Sequence, residues 1–492
     1  MLPKPYLDDR SGTPLYRQLY EYIRSSISNG HMEPGERLPS TRILAEQIGL
    51  NRTTVTAAYE LLEEGGWIRS HVGRGSFVAG VADAEPGRLD WSSVLAKPEW
   101  DSPAAPVIGR GAAISFASSR PSAELFPVDA IRETAREVVE SEAAEILQLG
   151  SPTGFPPLRR YLWESSRKAG EARDSDELII TSGCQQALDL LQRVLIERGD
   201  KVVVEDPVYP GIHQVLARAG ARLVGVPVGP HGLDIERLEE VLSRESPKLL
   251  VVTTDFQNPT GATLPLEARR ALLRAAHTAG VVVAENDIYA DLRYLGEPLP
   301  SLKQLDDVGN VIQLRSFSKV SFPGLRVGWV LGPRPVIERL AEAKQWSDLH
   351  TDHLSQAVLC RFSVSGRLDE HRNRVIASGR ERLAAALSAC AQHLPPGSGY
   401  TRPEGGMSLW VELPSPLDSD LLLGRAQSAG VEYLPGRYFA VSRPHPGGLR
   451  LSFAGLEVTA IREGLSILGR VFGDELRRAG EQSRFAPAPA VV

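Results

Sequence analysis

The chain has 492 residues, 42% of them hydrophobic and 24% charged, with a formal net charge of −6; this is an ordinary globular composition, longer than a single domain of ~100–200 residues. That charge gives no global attraction to nucleic acid or membrane, and three widely separated cysteines, Cys184, Cys360 and Cys390, argue against a disulfide framework or a metal spacing. No window approaches the ~18–20 apolar residues of a membrane span, and MLPKPYLDDRSG has no apolar leader core, so a soluble, cytoplasmic protein of two or three units is expected.

Residues 1–79 form the first predicted unit. Leu15, Leu19, Tyr22, Ile23 and Ile27 keep helical spacing after Pro14, a residue suited to a first turn. Ser40 then caps a short helix carrying Leu44, Ala45 and Ile48, which Gly49 ends. Asn51 caps the next, whose Val55, Ala58, Tyr59 and Leu62 make one apolar face. Two helices joined by a tight glycine turn are a helix-turn-helix signature. The polar side of the second offers Arg52, Thr53, Thr54 and Thr56, side chains able to reach bases and phosphates. WIRSHVGRGSFVA alternates like a hairpin with Gly73-Arg74-Gly75 at its tip, and an Arg between glycines can lie against a DNA backbone. A helical interaction module with a solvated face is the bland alternative. Acidic and basic residues balance in this unit, so any attraction to DNA must come from placement, with Arg37, Arg42, Arg52 and Arg74 toward the duplex and Glu60, Glu63 and Glu64 away.

Residues 80–111 are rich in Pro, Ala, Gly and Asp without a sustained period and read as a linker, although Trp91 and Trp100 are unusual for a free tether. From Ile114 onward apolar runs alternate with helical stretches, the pattern of an α/β unit with a mostly parallel sheet, predicted over 112–473 and followed by a disordered tail, 474–492. LIITSGCQQALDLLQRVL runs from a strand through Gly183, Cys184 and Gln185 into a helix, whose free N–H groups suit an anion, though a plain turn reads the same way. Tyr209 follows a buried strand at the edge where ligands of open α/β sheets bind, or is merely core. Asn258 stands in an NPTG turn. Asp287 and Tyr289 come directly after another apolar strand, and an acid there needs a partner.

QLRSFSKVSFPGLRVGW organises the rest. An apolar strand delivers Lys319 between Phe317, Val320 and Phe322, surroundings that lower an amine from ~10.4 and favour an imine-forming nucleophile. Ser316 and Ser318 add hydroxyls, and Arg326 adds a fork suited to phosphate. An amine nucleophile beside a phosphate cradle points to pyridoxal phosphate. No metal site is predicted.

The segment SFSKVSFPGLRVGW resembles the cofactor-lysine motif of class I, fold-type I aminotransferases, and residues 13–79 resemble a GntR-type winged helix-turn-helix. Their union resembles the MocR subfamily of GntR-type transcriptional regulators. The resemblance implies a multidomain architecture: a winged helix-turn-helix, then a pyridoxal-phosphate-dependent transferase fold with a large mostly parallel sheet domain and a smaller α+β domain. It implies that Lys319 forms a Schiff base with pyridoxal 5'-phosphate. Gly183, Cys184 and Gln185 bind its phosphate with Ser316, Ser318 and Arg326, Tyr209 stacks on its ring, Asn258 and Tyr289 meet its phenolic oxygen, and Asp287 meets its ring nitrogen. Arg450 in LRLSFA would grip an effector's carboxylate beside Ser119, a surface arginine being the bland alternative. DNA contacts would come from Arg37, Ser40, Arg42, Arg52, Thr53, Thr54, Thr56, Arg74 and Gly75. Two positions depart from the family: Ser119 stands where Gly is usual, and Leu149 where a Tyr reaches the neighbouring subunit's phosphate. The expected protein is a homodimeric regulator of operator DNA that senses an amine, an amino acid or the cofactor itself. The alternative is a working aminotransferase with an accessory DNA-binding head.

Overall fold

Apolar spacing and capping account for the first unit. The computed structural model describes residues 7, 14–28, 31–33, 35–71, 75–79 and 112–485, with side chains described to residue 480. The chain divides into two compact units, Met1–Pro98 and Glu99–Val492. The predicted linker and the hairpin tip with Arg74 lie outside the described residues.

In the first unit α1 spans Leu15–Ser28, α2 Thr41–Ile48 and α3 Arg52–Glu64. The Ser40 side chain accepts the Ile43 N–H and the Asn51 side chain accepts the Thr53 N–H, each satisfying a donor that a helix start leaves free. Gly49, at φ 76, turns the chain out of α2 in a conformation that a side chain would strain. Leu19, Ile23, Leu44, Val55, Leu62 and Ile68 close into one core, and full burial stabilises by ~1.5–3 kcal/mol per such side chain. The Tyr59 hydroxyl donates to the Pro39 carbonyl at 2.8 Å and ties α3 to the approach to α2. Strands β1 (Ile68–His71) and β2 (Gly75–Val78) pair antiparallel, Ile68 opposite Val78, and form the wing.

The second unit is built on an eight-stranded sheet. Its strands are β4 (Asp176–Thr181), β5 (Lys201–Asp206), β6 (Arg222–Gly229), β7 (Gly232–Leu233), β8 (Leu249–Val252), β9 (Val282–Asn286), β10 (Val311–Ser316) and β11 (Gly328–Pro333), in the order β4-β11-β10-β9-β8-β5-β6-β7. Strands β10, β9, β8, β5 and β6 run parallel, while β11 is antiparallel to both its neighbours and β7 to β6. Both faces are covered by apolar clusters, so the parallel strands are apolar without alternation, as Val202, Val203 and Val204 illustrate.

A smaller sheet orders β12 (Gly399–Tyr400), β13 (Ser408–Glu412), β16 (Gly448–Ser452) and β15 (Leu434–Pro435). Separately, β3 (Ile114–Ser115) runs parallel to β14 (Val431–Glu432). The smaller sheet packs on helices Arg367–His393 and Val458–Phe485 through Leu409, Leu451, Ile461, Leu465 and Phe472. The expected disordered tail needs correction. The last helix continues past Gly473 to Phe485, because Leu476 keeps the spacing of Phe472 and packs on the same core while Glu475 pairs with Arg425. Residues 486–492 lie outside the described ones.

Candidate active site and DNA-binding head

Strand order sets the site. Because β11 hydrogen-bonds between β4 and β10, with Gly328 opposite both Thr181 and Ser316, the ends of β4 and β10 stand at one level. The Gly183 turn and the Lys319 turn therefore face each other. The strand ends open onto a cavity of about 510 Å³ lined by Lys319, Tyr209, Asn258, Tyr289, Arg326 and Arg450, with Ser119, Cys184, Gln185, Ser316 and Ser318 also on its wall. A larger cavity of about 720 Å³, bordered by Tyr400, Arg402 and Trp410, contains no lysine.

Lys319 opens onto the cavity and is otherwise enclosed. Burial, with the nearby cations Arg450, Arg326 and Arg120, pushes its amine down to about 8, against a stabilising pull from Cys184. Its Nζ donates to the Ser119 carbonyl at 3.0 Å and lies 5.6 Å from the Tyr289 ring centroid. The flanking Phe317, Val320 and Phe322 are buried.

The anion cradle is formed by backbone. Gly183, at φ 83, precedes a helix over Cys184–Leu195 whose first N–H groups have no intrahelical acceptor. A Cβ on Gly183 would lie 2.6 Å from Arg326 Nη2, so only glycine lets that guanidinium approach. Arg326 itself is left-handed at φ 54 and donates to the Ser182 carbonyl at 3.2 Å and towards Ser318 Oγ at 3.4 Å. The Cys184 thiol, pushed up to about 12 by burial, donates inward to the Arg315 carbonyl at 3.3 Å. Ser316 Oγ accepts the Ser318 N–H at 3.0 Å and lies 3.1 Å from the Val327 carbonyl, so its hydroxyl holds the lysine turn.

On the opposite wall Asn258 Nδ2 donates to the Tyr289 hydroxyl at 3.3 Å, and Arg450 Nη1 donates to Asn258 Oδ1 at 3.1 Å. Arg450 is only 4% exposed, with its Nε unpartnered, which removes the surface-arginine alternative. Burial pushes it down to about 10. Tyr209 is 37% exposed at the cavity edge, not core.

Asp287 lies just behind the wall. Its Oδ2 accepts from Gln313 Nε2 at 3.1 Å and faces Arg315 Nε at 3.4 Å, while its buried Oδ1 has no partner. Burial drives this carboxyl up and Arg315 opposes it. A positively charged ring N–H is the partner such an oxygen lacks, so these residues fit pyridoxal phosphate.

Sequence reasoning missed the network behind Asp287. Arg315 also pairs with Asp291 at 3.0 Å and reaches Glu171 at 3.8 Å, and Gln313 donates to Glu171 at 3.1 Å. The available signal was Gln313 and Arg315, two apart on one face of an otherwise apolar strand. Arg120, another residue of the cavity wall, was missed too.

In the head Arg37, Arg42, Arg52 and Thr53 are exposed, and Thr54 and Thr56 are half-buried. Ser40 serves as the α2 cap, Gly75 begins β2 at φ 101, and the Arg37 guanidinium lies 6.0 Å from the Phe77 ring.

Fold and site together define a pyridoxal-phosphate-binding, aminotransferase-like unit preceded in the same chain by a winged helix-turn-helix. Two family models agree: "Aminotransferase class I and II" matches residues 113–468, and "Bacterial regulatory proteins, gntR family" matches residues 15–78. The chain belongs to the GntR-family regulators that carry a class I and II aminotransferase domain, the MocR type.

It is 30% identical to the probable rhizopine catabolism regulatory protein MocR of Rhizobium meliloti, over 95% of each chain. It is also 30% identical to the HTH-type transcriptional regulator TauR of Rhodobacter capsulatus, over 93% of this chain and 96% of that protein. Against 2-aminoadipate transaminase of Thermus thermophilus identity is 40%, over 73% of this chain and 89% of that protein. Among solved structures, LysN, the α-aminoadipate aminotransferase of Thermus thermophilus complexed with N-(5'-phosphopyridoxyl)-L-leucine, superposes with a TM-score of 0.73 at 36% identity, over 79% of this chain and all of that one. Pyridoxal 5'-phosphate is the cofactor of this unit. Among the described residues, no helix is long and apolar enough to cross a membrane.

Proposed function

We propose that this chain is a homodimeric, cytoplasmic transcriptional regulator that binds operator DNA through its head and reads an amino compound in the cavity at Lys319. One observation carries the reading. A helix-turn-helix with a capped, outward-facing polar α3 shares its chain with a cavity that gathers Lys319, Asn258, Tyr289, Arg326 and Arg450, with Asp287 directly behind its wall. When bound, pyridoxal phosphate supplies an aldehyde that reacts with amines and a ring that accepts electron density.

The chain's own residues do the rest. Arg326 and the N–H groups after Gly183 hold the phosphate. The orphaned Asp287 oxygen takes the ring N–H, and the Gln313 and Arg315 contacts fix which oxygen faces it. Asn258 and Tyr289, already hydrogen-bonded to each other, orient towards the ring oxygen. Lys319, neutral in half its copies near pH 8, provides an amine that an incoming amine replaces. Arg450, buried and with one N–H unused, holds that compound's carboxylate. Regulation follows if the amino compound interacts differently with two conformations of the regulator.

Pairing of two copies is supported by exposed apolar residues. Leu147, Leu149, Trp346 and Leu349 are 80, 79, 89 and 54% exposed, and a Cβ on Gly150 would overlap the His353 ring, so the stretch after Leu149 adjoins the segment that follows Leu349. Completeness of the site favours a second reading, in which the unit also transfers amino groups.

Protection of the DNA upstream of its own gene, measured with the full chain with and without pyridoxal phosphate and a panel of amino acids, tests the proposal. The expected result is a protected half-site pair whose affinity changes on adding both. Protection indifferent to every amino compound, together with turnover of an amino acid and a keto acid, would establish the second reading.

A further inference from the structure

The cavity around Lys319 carries more positive charge than its cofactor accounts for. Lys319, Arg120, Arg326 and Arg450 line it, and no Asp or Glu does. Arg326 stands at the phosphate cradle, and Arg450 is buried with its Nη1 on Asn258. Arg120 is left over. It is exposed at the rim, and among the described residues no hydrogen bond or ion pair engages its guanidinium.

Its backbone is nonetheless held in place. The Ala117 carbonyl accepts from Arg450 Nη2 at 2.5 Å, and the Ser119 carbonyl accepts from Lys319 Nζ at 3.0 Å. The Arg120 carbonyl lies so near Gly455 that a Cβ there would approach it to 2.8 Å. This segment therefore presents the Arg120 side chain from a stretch tied to the lysine on one side and to the carboxylate-binding arginine on the other. The Arg120 charge reaches the reactive nitrogen, since it is one of the cations that disfavour the Lys319 ammonium.

We propose that Arg120 receives a second anionic group, so that the amino compound read by this site is an acidic amino acid. Its amine takes the place of the Lys319 amine, which is released, its α-carboxylate goes to Arg450 and its side-chain carboxylate to Arg120. This inference rests on the reading of the cavity as the amino-compound site. No Asp or Glu lines the cavity, Asp287 standing behind its wall, so an added carboxylate at the rim meets cationic side chains. Because Arg120 is at the rim, with water around it, the preference it confers is modest, about tenfold, and weakens with salt.

The test uses the full chain loaded with pyridoxal phosphate and follows the absorbance of the bound cofactor during titration with L-glutamate and L-2-aminoadipate. L-glutamine and L-norleucine serve as uncharged counterparts. Half-saturation is expected at about tenfold lower concentration for the acidic pair, a gap that narrows in high salt. In R120Q the ratio should fall towards one, and in R120K, which retains the charge, most of it should survive. Equal half-saturation for acidic and neutral compounds, or a ratio untouched in R120Q, overturns the proposal alone. Absorbance that no amino compound alters overturns the reading of the site, and the proposal falls with it.

Discussion

A lysine placed among protein atoms at the end of an apolar strand titrates early, and this sets the behaviour of the site. With its amine held at about 8 instead of 10.5, Lys319 reacts as a neutral nucleophile at pH values where an ordinary lysine is a cation. Uptake of pyridoxal phosphate by the apoprotein, followed by absorbance, should accelerate as pH rises through about 8 and then level off, and Lys319→Ala should abolish the absorbance change. The sign for stability follows. Between about 8 and 10.5 the unfolded chain holds a proton on this lysine that the folded chain has released, so this group makes the apoprotein more resistant to unfolding as pH rises across that window. Gly183 matters by what it lacks. Gly183→Ala at φ 83 sets a methyl 2.6 Å from Arg326 Nη2, and cofactor affinity measured by equilibrium dialysis should fall at least about tenfold.

At the scale of elements, α3 is the helix proposed to read DNA. Arg52 is its first residue and exposed, so Arg52→Ala should weaken operator binding several-fold in a mobility-shift titration, with cofactor content unchanged. Asn51→Ala removes the cap of the same helix and should cost about 1 kcal/mol of head stability in urea unfolding. These elements were legible because local chemistry writes their ends: Ser40, Gly49 and Asn51 mark boundaries whatever the tertiary context. The lysine strand was equally plain, since Gln313–Trp329 combines a strand with a motif of fixed spacing. The network of Glu171, Gln313, Arg315 and Asp291 was not, because its members come from β10, a loop and a turn that only folding brings together. The last helix was also misjudged beyond Gly473. There the polar residues of 474–485 conceal one apolar contact, Leu476, and one ion pair, Glu475 with Arg425.

Across the whole molecule, the exposed side chains around Leu149 bear on assembly. Trp346 is 89% exposed, and an indole so placed on a lone subunit leaves a large apolar surface in water. Sedimentation should give twice the chain mass, and Trp346→Glu should shift the equilibrium towards the single chain while leaving far-UV circular dichroism intact. Because operators with repeated half-sites require two heads, the same substitution should reduce operator affinity more than it reduces binding to arbitrary duplex DNA.

The contact between Lys319 Nζ and the Ser119 carbonyl has a wider consequence. A nitrogen engaged in a covalent bond no longer offers the same proton to that oxygen. Ser119 follows closely on the stretch of polypeptide that joins the two units, just past β3, and its neighbour Ala117 is gripped by Arg450. A covalent bond at the lysine therefore changes one hydrogen bond to this run, and a carboxylate that draws on Arg450 competes with another. Occupancy of the lysine and of the arginine thus bears on two carbonyls no more than three residues apart, Ala117 and Ser119.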